Sequence, residues 1–417
     1  MSSHKYMTYK KTVLEDGIRV VTEEVPIAIS TALGIWIEAG SRDESEPENG
    51  LAHLIEHMAF KGTTLRSKLD IARQIDRQGG QANAFTTKEY TCFHTRVRPE
   101  QLPEAVDLLV DIFQNSLYEE EDLELEKQVI LQEIAMGDDE PETYAHDLAA
   151  TFFWPGHSLG RPVAGTSEVV SALDRKAITA WLEKHYTGGR IIVSAAGAVD
   201  HQQLVELLMT RLAHRPQGAA RQMTRPEFQP GLVIKPRSLE QAHMVMATSF
   251  PDTADKRRHA ASVLSAALGG NMSSRLFQAI RVNWGLVYTV YSYYNAYHGT
   301  GSLEIYAAAA PDRIAETRSL VKAELKKMRL ELMPCEELAE AVDGLKTSIV
   351  LSADSMDGRM SRLAVDEMYY GRRVEPEETC AELDAVKAGD VLELAEEFFR
   401  EENFLTCVVG PVEEDLF

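Results

Sequence analysis

The residues best placed to do chemistry stand in GLAHLIEHMAFKGTT, residues 50–64, which puts His53, Glu56 and His57 within five positions. LAHLIEHMAF contains neither Gly nor Pro and suits a helix. Residues four apart share a helix face, so the two imidazoles stack one turn apart and can hold one metal ion. Glu56 lies on the same side and can reach a water on that ion without being a ligand. The pattern is HExxH read backwards, H-x-x-E-H. The plainer alternative is an amphipathic helix that carries two histidines by chance.

A catalytic zinc needs three protein ligands and one open position. The third is offered by EEEDLELEKQVILQEIAMGDDEP, residues 119–141. Acids open this helix, where the macrodipole favours them, and Gly137 with Pro141 close it. Glu126 and Glu133 lie two turns apart on one face, with Val129 and Ile130 on the same stripe. Unpaired charge on an apolar face is costly. A metal would relieve that cost for Glu133, with Glu126 behind it. The pattern alone equally allows two exposed acids like their neighbours Glu119, Glu120 and Glu121.

The elements that position these residues must belong to more than one core, because 417 residues predict two or three domains. The 44% hydrophobic and 26% charged composition is globular. No apolar run reaches the ~18 residues that would span a membrane. The start, MSSHKYMTYKKTVLEDGIRVV, has lysines but no apolar secretory stretch, and the four cysteines form no CxxC. Both point to a cytoplasmic protein with free thiols. A net charge of −22 argues against nucleic acid and favours cationic partners such as basic peptides, or serves solubility alone.

Residues 213–231, AHRPQGAARQMTRPEFQPG, read as an extended linker and suggest domains at 1–215 and 232–417, joined by 216–231. The halves share a pattern. STALGIWIEAGSRDE and AHMVMATSFPDTADK are each strand-like with a polar turn, followed by a helix. RIIVSAAGAVD and NFLTCVVGPVE each end a half as a strand. This reads as one α+β unit duplicated.

Four stretches, GLAHLIEHMAFKGT, GGQANAFTTKEYTCF, LEKQVILQEIAM and LGRPVAGT, resemble the pitrilysin or insulinase-like zinc peptidases (inverzincins). Within that family the chain is most similar to the small bacterial members and the β subunit of mitochondrial processing peptidase. The family's third ligand is a glutamate about 76 residues beyond the motif, and Glu133 stands 76 residues after His57. The resemblance implies one zinc per chain on His53, His57 and Glu133, with Glu56 as general base and Glu126 supporting the site. It implies an α+β fold of two homologous α/β-roll halves, each an antiparallel-rich sheet with helices packed on it, closing like a clamshell around a chamber. RVNWGLVY, residues 281–288, matches the family's distal segment, although Val282 replaces an acid and Trp284 a polar residue. Arg281 and Tyr288 are implied as catalytic-site contacts to substrate or transition state; the plainer alternative for Tyr288 is a packed aromatic of the strand VYTVYSYY. Asn83 and Ala84 are implied as substrate-strand positions. Phe85 beside them also reads as core.

The function expected is zinc-dependent endopeptidase action on short or unfolded peptides. The small family members work in pairs, which implies a homodimer or a dimer with a homologous chain. The alternatives are a subunit of a heteromeric processing peptidase and a non-catalytic scaffold.

Overall fold

The computed structural model describes residues 8–413. Residues 1–7, the beginning of the start read above as lacking a secretory stretch, lie outside the described residues. The eleven strands among them are β1 (Thr8–Val13), β2 (Arg19–Glu24), β3 (Thr31–Ile37), β4 (Asn83–Thr86), β5 (Thr91–Val97), β6 (Ile191–Gly197), β7 (Gly231–Pro236), β8 (Ala242–Ser249), β9 (Val287–Tyr297), β10 (Thr300–Ala309) and β11 (Leu405–Gly410). They form two sheets, ordered β1-β2-β6-β3-β5-β4 and β7-β11-β8-β10-β9.

Setting β1 aside, the sheets have one topology. In each, the first strand runs parallel to the last, and every other neighbour is antiparallel. The repeat suggested by the strand-turn-helix pattern is therefore present as repeated topology, and the fold is α+β with helices on antiparallel-rich sheets.

Strand β3 shows why its sequence is apolar throughout. Side chains alternate across a strand. Leu33, Ile35 and Ile37 enter one core with Leu51, Leu54, Ile55 and Met58 of the helix Leu51–Met58. Ala32 and Trp36 point to the other face and meet Met360, Leu363 and Ala364 of the helix Met356–Tyr370. With both faces covered, a polar position would bury an unsatisfied group. The second sheet is covered likewise. Ala242, Met244 and Met246 face one core, and Val245 faces Ala145 and Ala149 of the helix Pro141–Phe153. His146 of that helix hydrogen-bonds the hydroxyls of Tyr291 at 3.1 Å and Tyr293 at 2.9 Å.

The two compact units are not simple halves of the chain. Unit 1 takes residues up to Ala135, Arg161–Met223 and Leu351–Val374; unit 2 takes Met136–Gly160, Thr224–Val350 and the residues from Glu375. A division at the linker misses two exchanged segments. The helix Pro141–Phe153, from the first half of the sequence, covers the second sheet, and Met356–Tyr370, from the second half, covers the first. The linker itself is not a loose tether. It carries no regular structure over residues 213–230, yet Pro216 and Gln217 carbonyls accept from Gly188 and Gly189, and Arg221 pairs with Asp43 at 2.5 Å.

Trp36 ties this frame to the site. It is 1% exposed, donates its indole N–H to Ser194 at 2.8 Å, and meets the Phe85 ring of β4 edge-on at 5.7 Å. Trp36→Ala removes a fully buried aromatic and is expected to cost about 3–5 kcal/mol in denaturant unfolding. An unchanged midpoint would show that this face of the sheet repacks without it.

Candidate metal centre

The site is built on the histidine helix, Leu51–Met58. Its buried residues Leu51, Ala52, Leu54, Ile55 and Met58 fix its rotation, which leaves His53, Glu56 and His57 on the remaining face. Its N-terminus has no side-chain cap of its own. The Glu44 carboxylate takes that role, accepting from the N–H groups of Gly50 and Ala52 at 2.9 Å each and from the Asn49 amide at 3.1 Å. Gly50 (φ +93°) is pressed against Gly165 (φ +83°) of the LGRPVAGT stretch. A Cβ on Gly165 would lie 2.5 Å from the Asn49 carbonyl and 2.9 Å from the Gly50 Cα. Two of the four signature stretches are thus two sides of one backbone contact that seats the helix.

The second element is the carboxylate helix, Glu120–Asp139, which buries Leu123, Glu126, Lys127 and Ile130. Val129 departs from the apolar stripe read in the sequence: it is 40% exposed, because the helix turns that edge outward and Ile130 inward. Glu126 hydrogen-bonds His57 Nδ1 at 3.1 Å and pairs with Lys61 at 2.5 Å. The Glu133 carboxylate lies 3.6 Å from His57 Nε2 and 3.9 Å from His53 Nε2. One donor atom from each of His53, His57 and Glu133 falls within 4.8 Å of the others, the one such group among the described residues.

These residues fit zinc. Tetrahedral ligands at about 2.0–2.2 Å from the ion lie roughly 3.4 Å apart, close to the spacing found. The donor set is two imidazoles and a carboxylate. A carboxylate behind one imidazole fixes its tautomer and orientation. Burial, with His57 beside it, pulls the His53 pKa down to about 4, which keeps that imidazole neutral and its lone pair available. The Nδ1 of His53 is buried without a hydrogen-bond partner, so only His57 has such backing.

Glu56 is partly buried, and its carboxyl is raised from the ordinary value chiefly by burial. The Thr86 hydrogen bond and His57 oppose the rise, and the Glu133 charge adds to it. Thr86 Oγ1 donates to the Glu56 carboxylate at 2.6 Å. Sequence reasoning missed Thr86. The alternation in NAFT puts it on the face shared with Ala84, but only the fold shows that this face meets Glu56.

Strand β4 is the end strand of its sheet, paired on one edge by β5, with Asn83 opposite His94. Asn83 is exposed, Ala84 is buried in the main core of unit 1, and Phe85 packs against Trp36, Tyr90 and His94 on the opposite face. Arg281 and Tyr288 lie in unit 2. Tyr288 is 76% exposed, so it is not a packed aromatic; the Arg281 guanidinium sits 4.9 Å from its ring centroid and 4.7 Å from that of Phe277. Arg281 belongs to a π-helix, Phe277–Asn283, a rare form that recurs at functional sites.

Residues 19–167 match the insulinase model of peptidase family M16, and residues 172–345 match the peptidase M16 inactive domain. An uncharacterized zinc protease of Streptomyces coelicolor is 37% identical over 99% of this chain and 91% of its own length. The chain belongs to the insulinase family, peptidase family M16. The uncharacterized zinc protease YmxG of Bacillus subtilis is 34% identical over 96% of this chain and 98% of its own. Two solved structures share the fold. A protease from Helicobacter pylori has a TM-score of 0.89 at 19% identity, covering 97% of this chain and 100% of that one. A peptidase M16 inactive domain from Pseudomonas fluorescens has a TM-score of 0.90 at 17% identity, covering 97% and 98%. The insulinase-like resemblance drawn from the four sequence stretches is therefore correct.

The cap on the histidine helix gives a prediction. Burial raises the Glu44 carboxyl from 4.5 to about 7, against the pull of its hydrogen bonds and of Arg161. A folded pKa above the unfolded one means that stability from the neutral form is complete below about 4.5 and is lost as pH rises through about 7. Wild type should therefore lose roughly 3 kcal/mol relative to Glu44→Gln between pH 4 and pH 8.5. Chelator-treated samples of both proteins, unfolded in urea across that range, measure it. A difference independent of pH would mean that Glu44 titrates alike in the folded and unfolded chain.

Proposed function

We propose that this protein is a zinc-dependent metalloendopeptidase acting on short or unfolded peptides. The observation that carries the reading is the convergence of one donor atom each from His53, His57 and Glu133 within 4.8 Å, with Glu56 on the same helix face. The relatives' designation as zinc proteases supports it.

Zinc held by these residues would supply Lewis acidity, polarising a peptide carbonyl and making a water more acidic. Glu56 takes the proton from the attacking water. Its burial raises its basicity, and Thr86 holds the carboxylate in one orientation. Glu56 then returns the proton to the leaving amine. Glu126 holds the His57 ring by its Nδ1. A substrate backbone adds to the open edge of β4 at Asn83 and Ala84, a mode that reads extended shape. Arg281 and Tyr288 contact the substrate, with the Tyr288 hydroxyl and the guanidinium available to an oxyanion. A net charge of −22 favours basic peptides. We further propose that the chain works as a homodimer or with a homologous partner, in the cytoplasm. Among the described residues no helix is long and apolar enough to cross a membrane.

Purified protein should contain one zinc per chain and cleave a quenched basic peptide. Glu56→Gln should keep the zinc and lose about 10²–10⁴-fold in kcat. Full activity in that variant, or zinc-free wild type, would refute the assignment. Activity that appears only on mixing with a homologous chain would identify a heteromeric peptidase.

The carboxylate helix is tested separately by metal analysis after dialysis. Glu133→Gln should lose most of its zinc. Glu126→Gln should keep more of it, with affinity lowered about 10–100-fold. Wild-type retention in both variants would remove the helix from the site.

A further inference from the structure

Loops between strands ordinarily run over the surface. The one at residues 87–90, between β4 and β5, takes part in a buried charge pair instead. Glu89 is 1% exposed and Arg42 7%. One Glu89 oxygen accepts from the Arg42 guanidinium at 2.7 Å, and the other accepts from the Tyr369 hydroxyl. Tyr369 comes from Met356–Tyr370, the helix that the second half of the sequence lends to unit 1. A buried ion pair adds little net stability, because desolvation offsets the attraction, but it fixes geometry. The geometry fixed here lies three residues back along the chain, at Thr86.

Thr86 is the last residue of β4, and its hydroxyl donates to Glu56. The turn that follows is closed on itself. The Thr87 N–H donates to the Tyr90 carbonyl at 2.8 Å, and Thr87 Oγ1 accepts from the Tyr90 N–H at 3.1 Å. The turn is also zipped to residues 39–42. The N–H groups of Ser41 and Arg42 donate to the carbonyls of Thr87 and Lys88 at 3.1 and 2.7 Å, and the Thr91 hydroxyl donates to that of Ala39 at 3.0 Å. The approach is so close that a Cβ on Gly40 would lie 2.7 Å from the Tyr90 nitrogen. Two residues further on stands Glu44, the cap of the histidine helix. The turn after Thr86 and the helix that carries Glu56 therefore hang from one short segment, and Arg42, Glu89 and Tyr369 meet at the join.

We propose that Arg42, Glu89 and Tyr369 are positioning residues for Glu56. Anchoring the turn by both Glu89 oxygens keeps the Thr86 hydroxyl in the one place from which it orients the Glu56 carboxylate. The three act on the carboxylate through Thr86. This rests on Glu56 as the general base of the proposed peptidase. It also gives the exchanged helix a part in the reaction. Its Met360, Leu363 and Ala364 cover β3, and its C-terminal turn supplies one hydroxyl to the connection that follows Thr86.

Kinetics on a quenched basic peptide with Tyr369→Phe, Thr86→Val and the double variant test this. Tyr369→Phe keeps the ring and deletes one hydroxyl. Its kcat should fall on the order of 3–10-fold, with KM, zinc content and melting point as in wild type. Thr86→Val lacks the hydroxyl through which Tyr369 acts, so adding Tyr369→Phe to it should slow turnover no further. Thr86→Ser restores that hydroxyl, and with it the sensitivity to Tyr369→Phe. Unchanged kcat in Tyr369→Phe, a loss carried by KM or by zinc, or losses that multiply in the double variant would overturn the proposal. Crystal structures of chelator-treated wild type and Tyr369→Phe give a readout that needs no turnover. The Thr86–Glu56 hydrogen bond, 2.6 Å in wild type, should be lost in the variant or divided between two rotamers, and an unaltered bond would equally overturn the proposal. An inactive wild type would refute the peptidase reading, and the two crystal structures would then decide whether the network sets Glu56.

Discussion

The site of unit 1 turns on carboxylates gathered around two imidazoles on neighbouring helices. Glu56, Glu126 and Glu133 converge on two imidazoles, and the one ammonium paired among them is Lys61, on Glu126. Burial holds His53 neutral, so it offers a lone pair and no compensating charge. Lys61 offsets Glu126, while burial and the Glu133 charge both raise the Glu56 carboxyl. Zinc held by His53, His57 and Glu133 would supply the missing positive charge. Glu56 stands outside that donor set, partly buried and hydrogen-bonded by Thr86, which are conditions that would suit a base.

That arrangement makes unusual demands on the backbone. The histidine helix is two turns long, too short to be stable alone. It is held by burial of five residues, by the Glu44 carboxylate on its first N–H groups, and by the contact of Gly50 with Gly165. Glu44 and Gly165 never touch the metal ligands, yet both set the direction in which the ligands point. The signature stretches farthest from the chemistry are therefore backbone constraints on it.

Sequence showed most of the site because helix periodicity is local. His53, Glu56 and His57 follow from spacing four and three on one helix, and Glu126 and Glu133 from spacing seven on another. The pattern could not decide whether the two acids faced a metal or solvent. That depends on which edge of the carboxylate helix turns inward, and Val129 shows that the apolar stripe misjudges it by part of a turn. Thr86 was beyond reach for the same reason, since its partner is 30 residues away in a different element. The duplicated topology was legible from matching strand and turn patterns. The exchange of Pro141–Phe153 and Met356–Tyr370 between units was not, because an amphipathic helix shows that one face is buried and says nothing of which sheet buries it.

The duplication also accounts for why the candidate metal ligands lie in unit 1 alone among the described residues. The helix that follows β8, Arg258–Gly269, occupies the same place in its unit's topology as the histidine helix does after β3. It presents RHAASVLSAALG, in which His259 pairs with Glu382 and no second histidine follows four residues on. Its face is packed with small residues against the second sheet. Once one copy held the metal ligands, the other was free to keep only the packing that the topology requires.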